Sequence, residues 1–449
     1  MKLYNALLVC GMTALAMTAN AAVSESDAAR LKGDLTPFGA EKAGNKDGDI
    51  PAWTGGYTTP IPGDKPGGRR GDPFKDEKPI FSITNKNMDQ YADKLTDGSK
   101  ALLKKYDDYR IDVYKTHRTA SAPQWVYDNT VKNATRAELK GDILSGAFGG
   151  VPFPIPKTGA EVMWNHLTSW RGSDWKFSMT QYQITSNGKA VMTSDIDAEE
   201  QMPYYKKDGS LEEYSKTPEL TLMRLVNVGP PIRAGEAVVG RMNLDSDKDQ
   251  IWAYLTGQRR VRKLASPCCD TPAQQTAGVM TIDEVEVFTG KLTRFDWKLI
   301  GKQEMYIPYN NNKMLSGAPD AEVIGSHFVN PDFVRWEKHR VWVVEANLKA
   351  GERHQAARSR YYCDEDTWMC MLADRWDSKG TLWRALWIHN FVAPDLPGLA
   401  RGAFGVNDFS SGAAYIANMY TSKPAPYVLK SPFPDSMFTP DALAAESAR

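Results

Sequence analysis

The chain has 449 residues, 42% of them hydrophobic, and its 55 Lys+Arg are balanced by 55 Asp+Glu; that is enough for a large globular core. A net charge of zero excludes the basic footprint that nucleic acid requires and the polybasic patch that anionic membrane surfaces attract. Beyond the first residues, no segment approaches the roughly 18 uninterrupted apolar residues of a membrane-spanning helix.

Residues 1–21 read as an export signal: Lys2, an apolar run from Ala6 to Met17, then Ala19-Asn20-Ala21. Cleavage is expected after Ala21, placing the mature chain outside the cytoplasm. Cys10 does not read as a lipid-anchor cysteine, because Val9 stands where a small residue is needed. Cys268, Cys269, Cys363 and Cys370 then remain, and an even count in an oxidising compartment favours disulfides. Cys363 and Cys370 flank a turn at Asp364-Glu365-Asp366, where a hairpin-closing bridge is easy. Cys268-Cys269 forms a vicinal bridge or stays reduced. Neither pair has zinc-site spacing, and neither a metal nor a cofactor is expected.

Residues 22–80 are turn-rich, with Pro37, Pro51, Pro60, Pro62, Pro66, Pro73 and Pro79 and the pairs Gly55-Gly56 and Gly67-Gly68. Such a stretch wraps a surface or covers an opening. The spacing predicts two short helices over 86–109, broken near Asp97-Gly98, with Met88, Tyr91 and Leu95 on one face. A breaker cluster at 149–156 leads into a helix over 159–169, where Val162, Met163 and His166 share a face.

From there the period changes to two. Trp175, Phe177 and Met179 alternate with polar residues, and Asn187-Gly188 is a hairpin turn. Strands follow at 189–197, 219–228, 236–244, 250–255 and 258–264, and another at 292–307 carries Leu292, Phe295, Trp297 and Leu299 nearly in phase. Residues 335–391 form an antiparallel meander holding six of the 13 Trp, with turns at Lys349-Ala350-Gly351 and Asp377-Ser378-Lys379-Gly380. The fold class is therefore mainly β (α+β), one large antiparallel sheet, strongly curved or partly closed. Residues 22–156 are read as a Pro/Gly-rich N-terminal segment packing on a main domain at 157–423, with an extended tail at 424–449.

Catalytic signatures are missing. Gly235 to Gly240 have P-loop spacing, but Arg241-Met242 replaces the Lys and hydroxyl residue that phosphate and magnesium need, so this is a strand. Asp245, Asp247 and Asp249, and likewise Asn45, Asp47 and Asp49, alternate as calcium ligands do, yet both lack the turn glycine and the closing Glu. They read as solvated turns. The meander concentrates His339, Arg340, Glu345, Arg353, His354, Arg358, Arg360, Asp364 and Asp366; such sets are more often cross-strand ion pairs than acid–base machinery. Its strands carry apolar residues on both faces: Trp342, Val344, Ala346 and Leu348 on one, Val341 and Val343 on the other. Two such faces need cover from helices, from the N-terminal segment or from an apolar ligand.

The phrases from Ala43 to Gly56, from Tyr306 to Asn310, from His339 to Ala346 and from Gly380 to Arg384 resemble a proteobacterial family of exported proteins. It is catalogued as a domain of unknown function and labelled outer-membrane-lipoprotein-sorting-like. The family is similar in fold to the Lol lipoprotein carriers, which implies an unclosed barrel with helices against its concave side and an apolar cavity between. It also implies a periplasmic carrier of a lipid, acyl chain or lipoprotein-like cargo, monomeric, working between inner and outer membranes with a transporter of the resistance-nodulation-division type. On that reading Trp297, Trp342, Val344, Leu348, Trp383 and Trp387 line the cavity, and Arg340, His354 and Arg360 meet a polar head group. Two other classes compete. One is a hydrolase of hydrophobic esters using His339 or His354 with Glu345; the other is an envelope assembly factor that pairs through exposed strand edges.

Overall fold

The computed structural model describes residues 22–447 apart from 66, 265–268, 277 and 431, so the expected export signal and Cys268 lie outside the described residues. In chain order the strands are β1 (Phe81–Ile83), β2 (Ile111–Val113), β3 (Glu138–Lys140), β4 (Ile143–Ser145), β5 (Asp174–Ile184), β6 (Ala190–Gln201), β7 (Glu219–Gly229), β8 (Ala237–Asn243) and β9 (Gln250–Leu255). There follow β10 (Arg260–Lys263), β11 (Phe295–Pro308), β12 (Trp336–Leu348), β13 (Arg358–Asp364), β14 (Cys370–Trp376), β15 (Leu382–Ala393), β16 (Gly398–Asp408), β17 (Ala414–Met419) and β18 (Tyr427–Leu429). The helices are α1 (Glu25–Ala29), α2 (Asp97–Lys105), α3 (Gln124–Arg136), α4 (Gly159–Leu167), α5 (Leu211–Tyr214), α6 (Asp320–Val323) and α7 (Pro440–Ser447). None of them is long and apolar enough to cross a membrane.

Sixteen strands form one sheet in the order β1-β2-β12-β13-β14-β15-β16-β17-β5-β6-β7-β8-β9-β10, with β11 on β12 and β18 on β5. Pairing is antiparallel except for a single β2–β12 contact. The two ends of the sheet, β1 and β11 on one side and β10 on the other, do not pair with each other, so the sheet is not closed into a barrel. Turn chemistry sets the register as expected. Gly188 supplies the positive φ between β5 and β6, and the Asp377 carboxylate accepts the Lys379 and Thr381 amides between β14 and β15.

The expected helices over 86–109 appear as a 3-10 turn at Met88–Lys94 and α2. Three regions go beyond the sequence reading, each for a physical reason. β16 and β17 are buried on both faces throughout, so they show no alternation. The buried face of α3 is Val126, Thr130, Asn133 and Ala134; two of these four are polar, which hides the helical period. Asn133 there binds the Phe148, Gly150 and Val151 carbonyls. Finally, the run from Pro424, expected as extended, adds β18 to β5 and ends in α7. Phe438 and Leu443 are buried there with Leu222, Ala237 and Val239, because β7–β9 present an apolar face that needs cover.

The N-terminal segment lies across the corner formed by β11, β12 and the β13–β14 turn. Arg118 fastens it, binding Asp366 through two bonds of 2.7 and 2.8 Å and reaching the carbonyls of Glu41, Lys42, Ala43 and Pro51. The Trp368 indole donates to the Phe38 carbonyl.

Cys363 pairs with Cys370 across β13 and β14, and the two are bridged. Replacing both by Ser is expected to lower unfolding free energy by about 2 kcal/mol, the loop-closure entropy of so short a loop. A urea titration with unchanged slope would show it as a lower midpoint. Cys269 is also disulfide-bonded.

Candidate functional site

Successive side chains point to opposite faces, and the register carries those faces across the meander. Val344, Tyr361, Ala373 and Leu386 stand opposite one another on one face, and Val343, Tyr362, Leu372 and Trp387 on the other. Each face has its own helix. Gly159 of α4 sits on Val344, where a Cβ would lie 2.9 Å from its Cγ1. Gly98 of α2 sits on the second face, where a Cβ would lie 2.4 Å from Asp374 Oδ1 and 2.5 Å from Ala385 Cβ. The expected break near Asp97-Gly98 is thus the first turn of α2, and its glycine permits close approach to the sheet.

α2 begins with the Thr96 hydroxyl accepting the Ser99 amide at 3.0 Å. Asp374, projecting from β14, accepts the Asp97 and Gly98 amides at 2.9 Å each. A sheet carboxylate therefore serves two otherwise unpaired donors of the helix N-terminus. Between α2 and the sheet lies a cavity of about 40 Å³. Leu102, Tyr109, Phe328, Leu372 and Trp387 form apolar wall, and Asp374, His389 and Asn407 bring polar atoms. The Trp387 ring lies over Gly405, where a Cβ would be 2.4 Å away, and its indole donates to Asn407 at 3.1 Å.

Burial, reinforced by the Asp97 charge, pushes the Asp374 carboxyl up to about 7 against the pull of the Gly98 and Asp97 amides. The folded protein therefore holds this proton where the unfolded chain, at the ordinary 3.8, has released it. The contribution is complete below pH 4 and is lost as pH rises through about 7. At 1.36 kcal/mol per unit it is on the order of 4 kcal/mol. Unfolding free energy is expected to fall from pH 4 to 8, and Asp374→Asn to flatten that slope; an unchanged slope would sink the assignment.

The sequence-derived cavity residues divide between several places. Only Trp387 lines the cavity. Trp297, Val344 and Leu348 lie on the opposite face, with Trp297 packed on Phe288 at 5.3 Å and Tyr361 at 5.7 Å. Trp342 stacks on Trp368 at 6.2 Å, with Lys302 Nζ 4.9 Å from its ring. Trp383 sits where the β14–β15 register shifts, under the Arg384 guanidinium at 3.9 Å. The three head-group candidates are paired elsewhere: Arg340 with Glu365 and the Ala43 carbonyl, Arg360 with Glu345, and His354 with Asp283. Leu102, Tyr109, Phe328, Leu372 and His389 were missed, although His389 stands two residues from Trp387, on the same pleat.

The proposed His–Glu pairing is not formed, which corrects that version of the hydrolase reading. Glu345 binds Arg360 at 2.7 Å and Arg358 at 3.6 Å. His354 Nε2 meets Asp283 at 3.1 Å, and His339 Nε2 meets Glu337 at 3.1 Å. His339 and Glu345 are six residues apart on one strand, roughly 20 Å at strand rise.

Two carboxylate groups gather as metal sites do, His339 with Asp364 and Asp366, and Asp47 with Asp49 and Glu304. Each already has a cation. Arg118 holds Asp366, and Lys338 Nζ lies 2.9 Å from Asp49, 3.0 Å from Glu304 and 3.5 Å from Asp47. The Asn45/Asp47/Asp49 alternation thus docks the N-terminal segment on β11 and β12. In the other acidic loop, Asp245 caps a 3-10 turn, Asp247 pairs with Lys291 and Asp249 accepts the Asn243 amide.

Among solved structures, a DUF1329 family protein from Desulfovibrio piger is similar at 14% identity over 61% of this chain and 92% of its own, with a TM-score of 0.41. A LolA superfamily protein from Nitrosomonas europaea is similar at 10% identity over 64% of this chain and 99% of its own, with a TM-score of 0.37. An uncharacterized protein of Pseudomonas aeruginosa, PA3922, is 38% identical over the whole of both chains. Residues 82–444 match the profile described as Protein of unknown function (DUF1329), and on that match and that identity the chain belongs to the DUF1329 family.

Proposed function

We propose that this protein is a periplasmic binding protein or carrier for a lipophilic ligand, which it holds between α2 and the Tyr362–Leu372–Trp387 face of the sheet. The observation that carries this reading is an apolar cavity covered by α2, a helix of only nine residues, together with Tyr109 and the 328–334 segment. At about 40 Å³ the cavity exceeds the ~10–15 Å³ that one water needs on this measure but falls far short of the ~300–1,000 Å³ of ordinary ligand sites. Loading an acyl chain therefore requires α2 to swing out, which breaks the two amide bonds to Asp374. Once it is open, burial of apolar area at ~25 cal/mol per Å² drives binding with few polar contacts. The Cys363–Cys370 bridge is consistent with an oxidising compartment.

The test is lipid extraction and mass spectrometry on protein purified from the periplasm, with titration by the apolar dye N-phenyl-1-naphthylamine. Copurified lipid and saturable dye binding are expected. A protein that carries neither is not a carrier. The transporter implied by the resemblance is the proposed exchange partner, checked by co-purification from envelope extract.

A further inference from the structure

We infer that the ligand is uncharged and carries a hydroxyl group, which His389 and Asn311 bind at the inner end of the cavity; this deepens the carrier reading and rests on it. His389 lines both the main cavity and a smaller one of about 10 Å³, and the smaller one is also lined by Asn311, Met314, Leu315 and Tyr420. The His389 side chain is 4% exposed and stacks on Trp387 at 4.7 Å. Its Nδ1 has no hydrogen-bond partner among the described residues. Asn311, 1% exposed, accepts the Arg335 amide with its Oδ1, but its Nδ2 also has no partner. These two orphaned polar groups come from separate elements and line one small cavity, and a buried polar atom is ordinarily bonded to a partner.

Their chemistry selects the missing partner. Burial pushes the His389 imidazole down to about 3, so the ring is neutral at physiological pH. It then offers one donor and one acceptor, while Asn311 Nδ2 offers a donor. With Nδ1 as the ring's acceptor, a hydroxyl donates to His389 and its oxygen accepts from Asn311 Nδ2, which pairs both orphaned atoms. A carboxylate only accepts, and among the described residues around the two cavities no free cation awaits it. Arg335 is held by Glu337 and Glu77, and Arg110 by Asp112 and Asp332. Asp374 is already committed to the α2 amides. A plain alkyl end would leave His389 and Asn311 unpaired.

The experiment displaces N-phenyl-1-naphthylamine from the processed protein with 1-dodecanol, dodecyl methyl ether or dodecanoate. Wild type is expected to prefer the alcohol to the ether by roughly threefold to tenfold, the worth of one net hydrogen bond. His389→Phe should remove that preference, so that alcohol and ether displace the dye equally. Equal displacement in wild type, a preference surviving in H389F, or dodecanoate as the best competitor overturns the inference and leaves the carrier reading standing. Failure of wild type to bind the dye overturns both. Should the variant not fold, ¹⁵N imidazole resonances of wild type serve instead. Dodecanol is expected to shift the His389 nitrogens; no shift means the ring holds only water, which also overturns the inference.

Discussion

Arg375→Met is expected to lower unfolding free energy by about 3–5 kcal/mol, the cost of leaving buried charge without its partner. Arg375 on β14 stands directly opposite Arg384 on β15, and like charges so placed repel. The chain resolves this with Asp283 and Glu284, on a 3-10 turn capped by Thr281. Arg375 lies 2.9 Å from Asp283 and 3.5 Å from Glu284, while Arg384 lies 2.7 Å from Glu284 and 3.0 Å from Asp408. Removing Arg375 strands the Asp283 carboxylate, which among the described residues keeps bonds from His354 and Thr281.

Urea unfolding of R375M, D283L and the double variant separates charge pairing from packing. The double variant should recover much of the loss, because a well-packed apolar replacement of a buried pair is often nearly neutral. Acid supplies a second check. Burial raises the Asp283 carboxyl, but the Arg375 charge and the His354 bond outweigh it and hold the group below the ordinary carboxylate value. Its stabilisation is therefore present above pH 4 and lost as pH falls further. Wild type should show that acid loss, and R375M should lack most of it. Equal acid slopes would remove Asp283 from the account.

The same pair of residues shows what sequence reading could and could not reach. Strand positions, hairpin turns and a single large antiparallel sheet follow from period-two alternation and from turn residues such as Asn187-Gly188, while its openness is implied only by the family resemblance. Partners across long separations do not. Nothing in Ile282-Asp283-Glu284 announces that it will neutralise two arginines about 100 residues later, or that Arg118 will hold Asp366. Polar residues grouped within the meander therefore looked like one cluster, although His354, Arg340 and Arg360 go to three different partners. The cavity was hidden for a related reason. Two-sided apolar strands announce two covered faces but not which helix lies on which. Trp297 and Trp387 look alike in sequence, and only strand register separates them.

That separation leads to the second large effect. Trp387→Ala is expected to cost about 3 kcal/mol, near the lower end for truncating a core aromatic because the ring is only half-buried. The loss should come with a gain. The indole forms part of the cavity wall over Gly405, so its removal opens space beneath α2 that an apolar dye can enter with less displacement of the helix. Stopped-flow mixing with N-phenyl-1-naphthylamine should then show faster association than wild type. Trp297→Ala is the matched control. It removes the same side chain from the opposite face, where Phe288 and Tyr361 pack on it, and should cost similar stability while leaving dye association unchanged. If Trp297→Ala accelerates binding and Trp387→Ala does not, the ligand lies beneath α4 and the α2 face is structural core. If both accelerate it equally, dye entry reports general loosening of the sheet rather than a site.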